Sequence, residues 1–141
     1  MNENKLYVKN RAHEIEAYAA GEMKKCPECE TVFNIDAVTI DDDQTHITCP
    51  ECAEEINLDD AFCGIWEYFN DCLDIEYRTD ANKNYKSVCV TLAWGGPNVY
   101  VDTRTGDVEL FWSSDYERDS LTRHAINAID EYFNDVFDDI C

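Results

Sequence analysis

Residues 26–52 read CPECETVFNIDAVTIDDDQTHITCPEC. The stretch opens and closes on one tetrapeptide, Cys-Pro-Glu-Cys, at Cys26–Cys29 and Cys49–Cys52. Tetrahedral zinc takes four soft ligands, and two Cys-x2-Cys knuckles supply two thiolates each across a hairpin. The spacing Cys26-x2-Cys29-x19-Cys49-x2-Cys52 lies in the window read as a zinc site. Structural Zn2+ is therefore expected on Cys26, Cys29, Cys49 and Cys52. Iron in a rubredoxin-like setting, or an empty or oxidised site, are the alternatives. Four cysteines leave no open coordination position, which argues against catalysis at the metal. A unit of roughly 30 residues buries little core, so metal binding should contribute most of its folding energy. Between the knuckles, Thr31–Ile35 and Thr45–Thr48 have β character, and the loop between them holds Asp41-Asp42-Asp43-Gln44. This predicts one small hairpin unit, with no internal repeat beyond the knuckles.

Outward from this unit the pattern changes. Residues 3–22 read as a helix with Leu6, Ile15, Tyr18 and Ala19, plus Val8 and Ala12, on one face and Gly21 as its stop. Residues 58–73 return to helical spacing through Leu58, Ala61, Phe62, Ile65, Trp66, Phe69 and Leu73, with Asn57 as N-cap. Residues 74–112 predict an antiparallel meander of three to four strands: Asp74–Arg78, Ser87–Trp94, Asn98–Asp102 and Val108–Trp112. The turns DANKN, GGP and TRTGD separate them. A helix over 118–138, capped by Ser120, closes the chain with the stripe Leu121, Ala125, Ile126, Ile129, Phe133 and Val136. The expected class is α+β: an N-terminal helix (1–22), a four-cysteine hairpin module (23–57) and an acidic α+β domain (58–141).

Charge narrows the function. Eleven Lys and Arg face 31 Asp and Glu, a formal net charge of −20. Residues 1–25 carry a net +1, and the remainder carries −21. From Cys26 to Tyr77 there are 15 carboxylates and no Lys or Arg. Such a surface repels phosphate backbones and anionic lipids. Neither nucleic acid nor membrane is an expected direct ligand, and a strong electrostatic partner should be basic. With no membrane-spanning apolar run and no secretory leader, the expected location is the cytoplasm. Eight cysteines in that setting argue against a disulfide framework.

Several motifs lead nowhere. Asp80, Asn82 and Asn84 fit a calcium loop, but Tyr85 and Thr91 stand where Gly and Glu are needed. His13, His46 and His124 are isolated; His46, three residues before Cys49, reads as a surface or supporting side chain. Cys63, Cys72, Cys89 and Cys141 read as inert thiols. Gly95-Gly96-Pro97 is a turn. Carboxylate pairs are everywhere, so none stands out as a general acid and base. An enzyme is not expected.

The two Cys-Pro-Glu-Cys knuckles resemble those of zinc ribbons, over about residues 24–56. Ribbons usually carry Gly after each knuckle, where this chain has Glu30 and Ala53. Many ribbons bind nucleic acid through basic residues, but here Glu28, Glu30, Glu51, Glu54 and Glu55 surround the knuckles, so that role is not carried over.

Carboxylates at i, i+3 and i+4 on a helix sit about 5–6 Å apart, much like successive phosphates. Asp59, Asp60, Glu67 and Asp71 on one helix, and Asp130, Glu131, Asp135, Asp138 and Asp139 on another, are candidate rows of this kind. Asp41, Asp42 and Asp43 form a candidate third patch. Solubility alone is the plain alternative. Residues 74–139, with Leu92-Ala93-Trp94-Gly95-Gly96-Pro97, Glu109-Leu110-Phe111-Trp112 and the acidic helix, resemble small acidic anti-restriction and anti-CRISPR proteins of phages and mobile elements. The resemblance implies a non-enzymatic DNA mimic that blocks a Cas effector or restriction enzyme. A uracil-DNA glycosylase inhibitor would present a similar surface. A zinc-ribbon adaptor that joins proteins without mimicry is the other reading.

Overall fold

The computed structural model describes residues 3–38 and 45–140. It is α+β. Helix α1 (Glu3–Ala19) leads into four short strands, β1 (Met23–Lys25), β2 (Val32–Asn34), β3 (His46–Thr48) and β4 (Glu55–Asn57). A short helix α2 (Ile65–Phe69) follows, then β5 (Asp74–Thr79), β6 (Tyr85–Ala93), β7 (Asn98–Asp102), β8 (Asp107–Trp112), β9 (Asp115–Ser120) and helix α3 (Arg123–Ile140).

Strands β5 to β9 form one antiparallel meander in sequence order. Alternation puts Val88, Val90, Val99, Val101, Val108 and Leu110 on one face, all fully buried. Val90 sits opposite Val101, which sits opposite Val108. The helices cover this face with Val8, Ala12 and Ile15 of α1, Ile65 and Phe69 of α2, and Ala125, Ile129 and Phe133 of α3. Phe69 and Phe133 meet edge to face, 5.4 Å between centroids. Gly106 lets α3 approach, because a Cβ there would lie 2.7 Å from the Ile126 side chain.

Helix α1 ends as the sequence suggests. Gly21 takes φ 75°, its N–H bonds the Tyr18 carbonyl, and the Glu22 N–H bonds the Ala17 carbonyl, which is a Schellman stop. Leu6, expected on the apolar face, is 48% exposed.

Four expectations change. The meander has a fifth strand, β9, whose sequence DYERDS lacks apolar alternation because it is the charged edge of the sheet. Helix α3 therefore starts later than 118. Ser120 pairs with Asp107 in the sheet, and the Thr122 hydroxyl caps the helix, accepting from the Ala125 N–H at 3.2 Å. Residues 58–73 are not one helix. Asn57 caps only a 3-10 turn, Leu58–Ala61, and helix resumes at Ile65. The apolar stripe there serves two cores: Leu58 and Ala61 pack beside the cysteines, and Ile65 and Phe69 under the sheet.

The fourth change is in the cysteine-rich region. β1 pairs with β2 and β3 with β4, so each knuckle closes its own hairpin. The two hairpins are copies at an offset of 23 residues, extending the repeat well beyond the knuckles. Cys26 N–H bonds Thr31 O as Cys49 N–H bonds Glu54 O, both at 2.9 Å. Ile35 N–H bonds Glu22 O as Leu58 N–H bonds Thr45 O, both at 2.8 Å. Asn34 and Asn57 cap matching 3-10 turns.

The sheet face turned away from the helices sets Asp102 directly opposite Asp107. Arg78 forks onto Asp102 at 2.6 and 2.9 Å, and Arg118 lies 3.4 Å from Asp107. Burial alone would raise the Asp102 carboxyl; the Arg78 fork and the Arg104 backbone N–H outweigh it and hold it below the usual carboxylate range. A depressed folded pKa stabilises above the unfolded value and is lost as pH falls through the folded one. Asp102→Asn should thus lower stability by about 1.5–3 kcal/mol at pH 7. Urea unfolding should show that gap narrowing once the pH drops below about 4.

Candidate metal centre and acidic surface

The two hairpins bring their knuckles face to face. The Cys26 and Cys52 sulfurs lie 3.7 Å apart, those of Cys29 and Cys49 lie 3.6 Å apart, and all four fall within 4.8 Å. Sulfurs bound at ~2.3 Å on a tetrahedron are separated by roughly 3.8 Å. The spacing is too long for disulfides and right for one shared cation. Cys26 and Cys49 are buried, whereas Cys29 and Cys52 face outward. Phe33, Ile47, Ile56 and Ala61 form the small core behind them.

Backbone shape serves the sulfurs. The residue after each knuckle must turn left-handed, and Glu30 (φ 64°) and Ala53 (φ 63°) do so despite their side chains. The Glu30 N–H then bonds Cys26 O at 2.9 Å, and the Ala53 N–H bonds Cys49 O at 3.0 Å.

The thiols divide electrostatically. The Thr31 hydroxyl, 3.2 Å from the Cys29 sulfur, and the Thr31 backbone pull Cys29 down to about 6. Cys52 is drawn down by the Glu54 backbone N–H, but desolvation and the neighbouring Cys49, Cys26 and Cys29 push it up to about 12. Four sulfurs this close resist complete ionisation alone, and a divalent cation removes that resistance. The donor set fits zinc: Cys26, Cys29, Cys49 and Cys52 would hold it, and it would supply charge and cross-linking. The His46 ring instead meets the Thr45 hydroxyl at 2.8 Å. Burial pushes up the thiols of Cys63, Cys72 and Cys89. Cys141 lies outside the described residues.

The structure sorts the candidate carboxylates. Asp41, Asp42 and Asp43 lie outside the described residues. Asp59 and Asp60 are exposed in the 3-10 turn, Glu67 is in α2 and Asp71 follows it, so these four make no single helical row. Lys25 holds Glu67 at 3.1 Å. Asp130 turns toward the sheet, accepting from the Tyr85 hydroxyl at 2.7 Å. Glu131, Asp135, Asp138 and Asp139 are exposed along α3, two to three turns with no basic residue among them.

The sequence reading missed a groove. Phe62, Gly64 and Trp66 on one side face Tyr18 of α1 and Ala128, Glu131, Tyr132 and Asp135 of α3 across a cavity of about 310 Å3. Phe62 and Trp66, expected in a core, are 62% and 42% exposed. Gly64 between them was the available signal, since it breaks the helical stripe. A second concavity shares Tyr18 and is lined by Glu14, Glu67 and Asp71 together with Arg11. No helix among the described residues is long and apolar enough to cross a membrane.

Comparison of the chain with protein families, curated proteins and solved structures finds no match.

Native mass spectrometry should find one zinc per chain, lost progressively on acidification as protons compete for the thiolates. Retention of no metal at neutral pH would contradict the site. In the zinc-loaded protein, Ala53→Gly should raise stability by about 0.5–1 kcal/mol by relieving the left-handed backbone. Thermal unfolding checks this.

Proposed function

We propose that the chain works by binding rather than catalysis, taking a basic nucleic-acid-binding protein on its acidic surface. The observation that carries this is the outer face of α3. There Glu131, Asp135, Asp138 and Asp139 stand exposed at helical spacing, with no hydrogen bond or ion pair to another described side chain. Elsewhere on the molecule many carboxylates are engaged: Glu16 by Thr122, Glu109 by Tyr116, Asp102 by Arg78 and Asp107 by Ser120. Unscreened acids near the C-terminus of a helix oppose its dipole by about 0.3–1 kcal/mol each. A gain in partner binding offsets that cost.

The finer reading is nucleic-acid mimicry. The α3 strip offers negative charge every 5–6 Å or so, the repeat that a basic DNA or RNA channel grips. On that reading the target is a defence nuclease, a Cas effector or restriction enzyme, blocked at its nucleic-acid surface. A second reading, a zinc-ribbon adaptor, draws support from the aromatic cluster Tyr100, Phe111 and Tyr116 on the sheet face away from the helices. Their ring centroids lie 5.9 and 4.8 Å apart. An adaptor of that kind would bind with little salt dependence.

DNA-cleavage assays with a panel of RNA-guided and restriction nucleases separate these readings. Mimicry predicts that the chain inhibits a member of the panel, that excess DNA relieves the inhibition, and that it weakens steeply with salt. The variant Glu131→Gln/Asp135→Asn/Asp138→Asn/Asp139→Asn should lose about tenfold or more in potency. Inhibition indifferent to salt and to these substitutions, or none anywhere in the panel, would contradict it.

A further inference from the structure

We propose that the groove between α2 and α3 is a recognition pocket for a single arginine side chain of a protein partner. The inference deepens the basic-partner reading and rests on it. None of the twelve residues lining the groove is Lys, Arg or His, and four are aromatic. Glu131 and Asp135, one helical turn apart, form its acidic wall, and neither has a partner among the described side chains. The opposite wall is Trp66, whose ring packs against Phe62 at 5.3 Å between centroids.

Trp66 lies close over the chain beneath it. A Cβ on Gly64 would fall 1.9 Å from Cζ3 of the indole, so only glycine lets the ring lie over the backbone there. The Phe62 backbone is tied by a β-bridge to Lys24 at the edge of the metal module. Tyr132 meets Phe133 edge to face, 4.9 Å between centroids. The result is an aromatic surface opposite two carboxylates that no described side chain engages.

That chemistry selects a cation, and a flat one. A guanidinium stacks on an indole face and forks onto carboxylates in the same pose, whereas an ammonium is compact and more strongly hydrated. A cavity of about 310 Å3 is at the small end of ligand sites, suited to one side chain rather than a cofactor. The neighbouring concavity already holds a cation of this chain, Arg11, which lies over the Tyr68 ring at 5.8 Å and donates to its hydroxyl at 3.1 Å. The α2–α3 groove likewise combines aromatic rings with carboxylates.

The test is a 1H–15N NMR titration of the zinc-loaded full chain with N-acetyl-arginine amide. The lysine and citrulline amides serve as controls, and deca-arginine as a probe of the whole surface. The Trp66 indole N–H signal should move saturably with the arginine amide. The Trp94 and Trp112 signals should stay in place, and citrulline should bind about fivefold or more weakly. Trp66→Ala and Gly64→Ala should abolish saturable binding, and Glu131→Gln/Asp135→Asn should weaken it by a similar factor, with spectra otherwise preserved. An unmoved Trp66 signal, or equal responses to arginine and citrulline, would overturn the pocket. Deca-arginine that binds parent and Trp66→Ala equally, yet fails on the carboxylate variant, would overturn the pocket alone and leave the acidic face standing. Deca-arginine that binds the carboxylate variant as tightly as the parent would overturn the acidic face itself.

Discussion

Four sulfurs within 4.8 Å of one another set the constraint that the rest of the N-terminal half obeys. Thiolates at that distance repel, and a cation at their centre makes the arrangement favourable. The hairpins around them have three-residue strands and, among the described residues, a core of six buried ones. Such hairpins are marginal in water without a cross-link. Even the backbone conforms: Glu30 and Ala53 accept left-handed conformations so that each knuckle can aim its sulfurs.

The metal module is joined to the larger domain through a short junction whose buried residues divide between two cores. Leu58 and Ala61 belong to the small core, and Ile65 and Phe69 to the large one. Phe62, Gly64 and Trp66 between them belong to neither and form the groove wall. The position of that wall therefore depends on both cores. The Phe62 bridge to Lys24 ties it to β1, and α3 supplies the facing carboxylates.

Much of this was legible in the residues. The four ligands followed from knuckle spacing, and strands β5 to β8 from alternation and turn chemistry. Gly21 marked the end of α1 because the stop needs a left-handed residue. What stayed hidden has physical causes. β9 is an edge strand whose charged side chains carry no period-two apolar signal. The 58–73 stripe had helical spacing because two separate cores happened to sample it in succession. The hairpin duplication was masked because only the cysteines, Pro, Glu, the capping Asn and one Asp recur, while MKK and HIT fill equivalent strands. The groove was invisible because periodicity assigns Phe62 and Trp66 to a buried face, and only the fold shows them open.

The most direct measurement is hydrogen exchange with mass detection on the full chain, with zinc bound and after chelation. The account predicts that removing zinc strips protection from residues 23–38 and 45–61 and loosens 62–66. Amides of β6, β7, β8 and α3 should keep theirs, because their core lies apart from the sulfurs. Undiminished protection across the two hairpins without metal would contradict the claim that the cation carries this module. Simultaneous loss across the whole sheet would contradict the claim that the molecule has two cores.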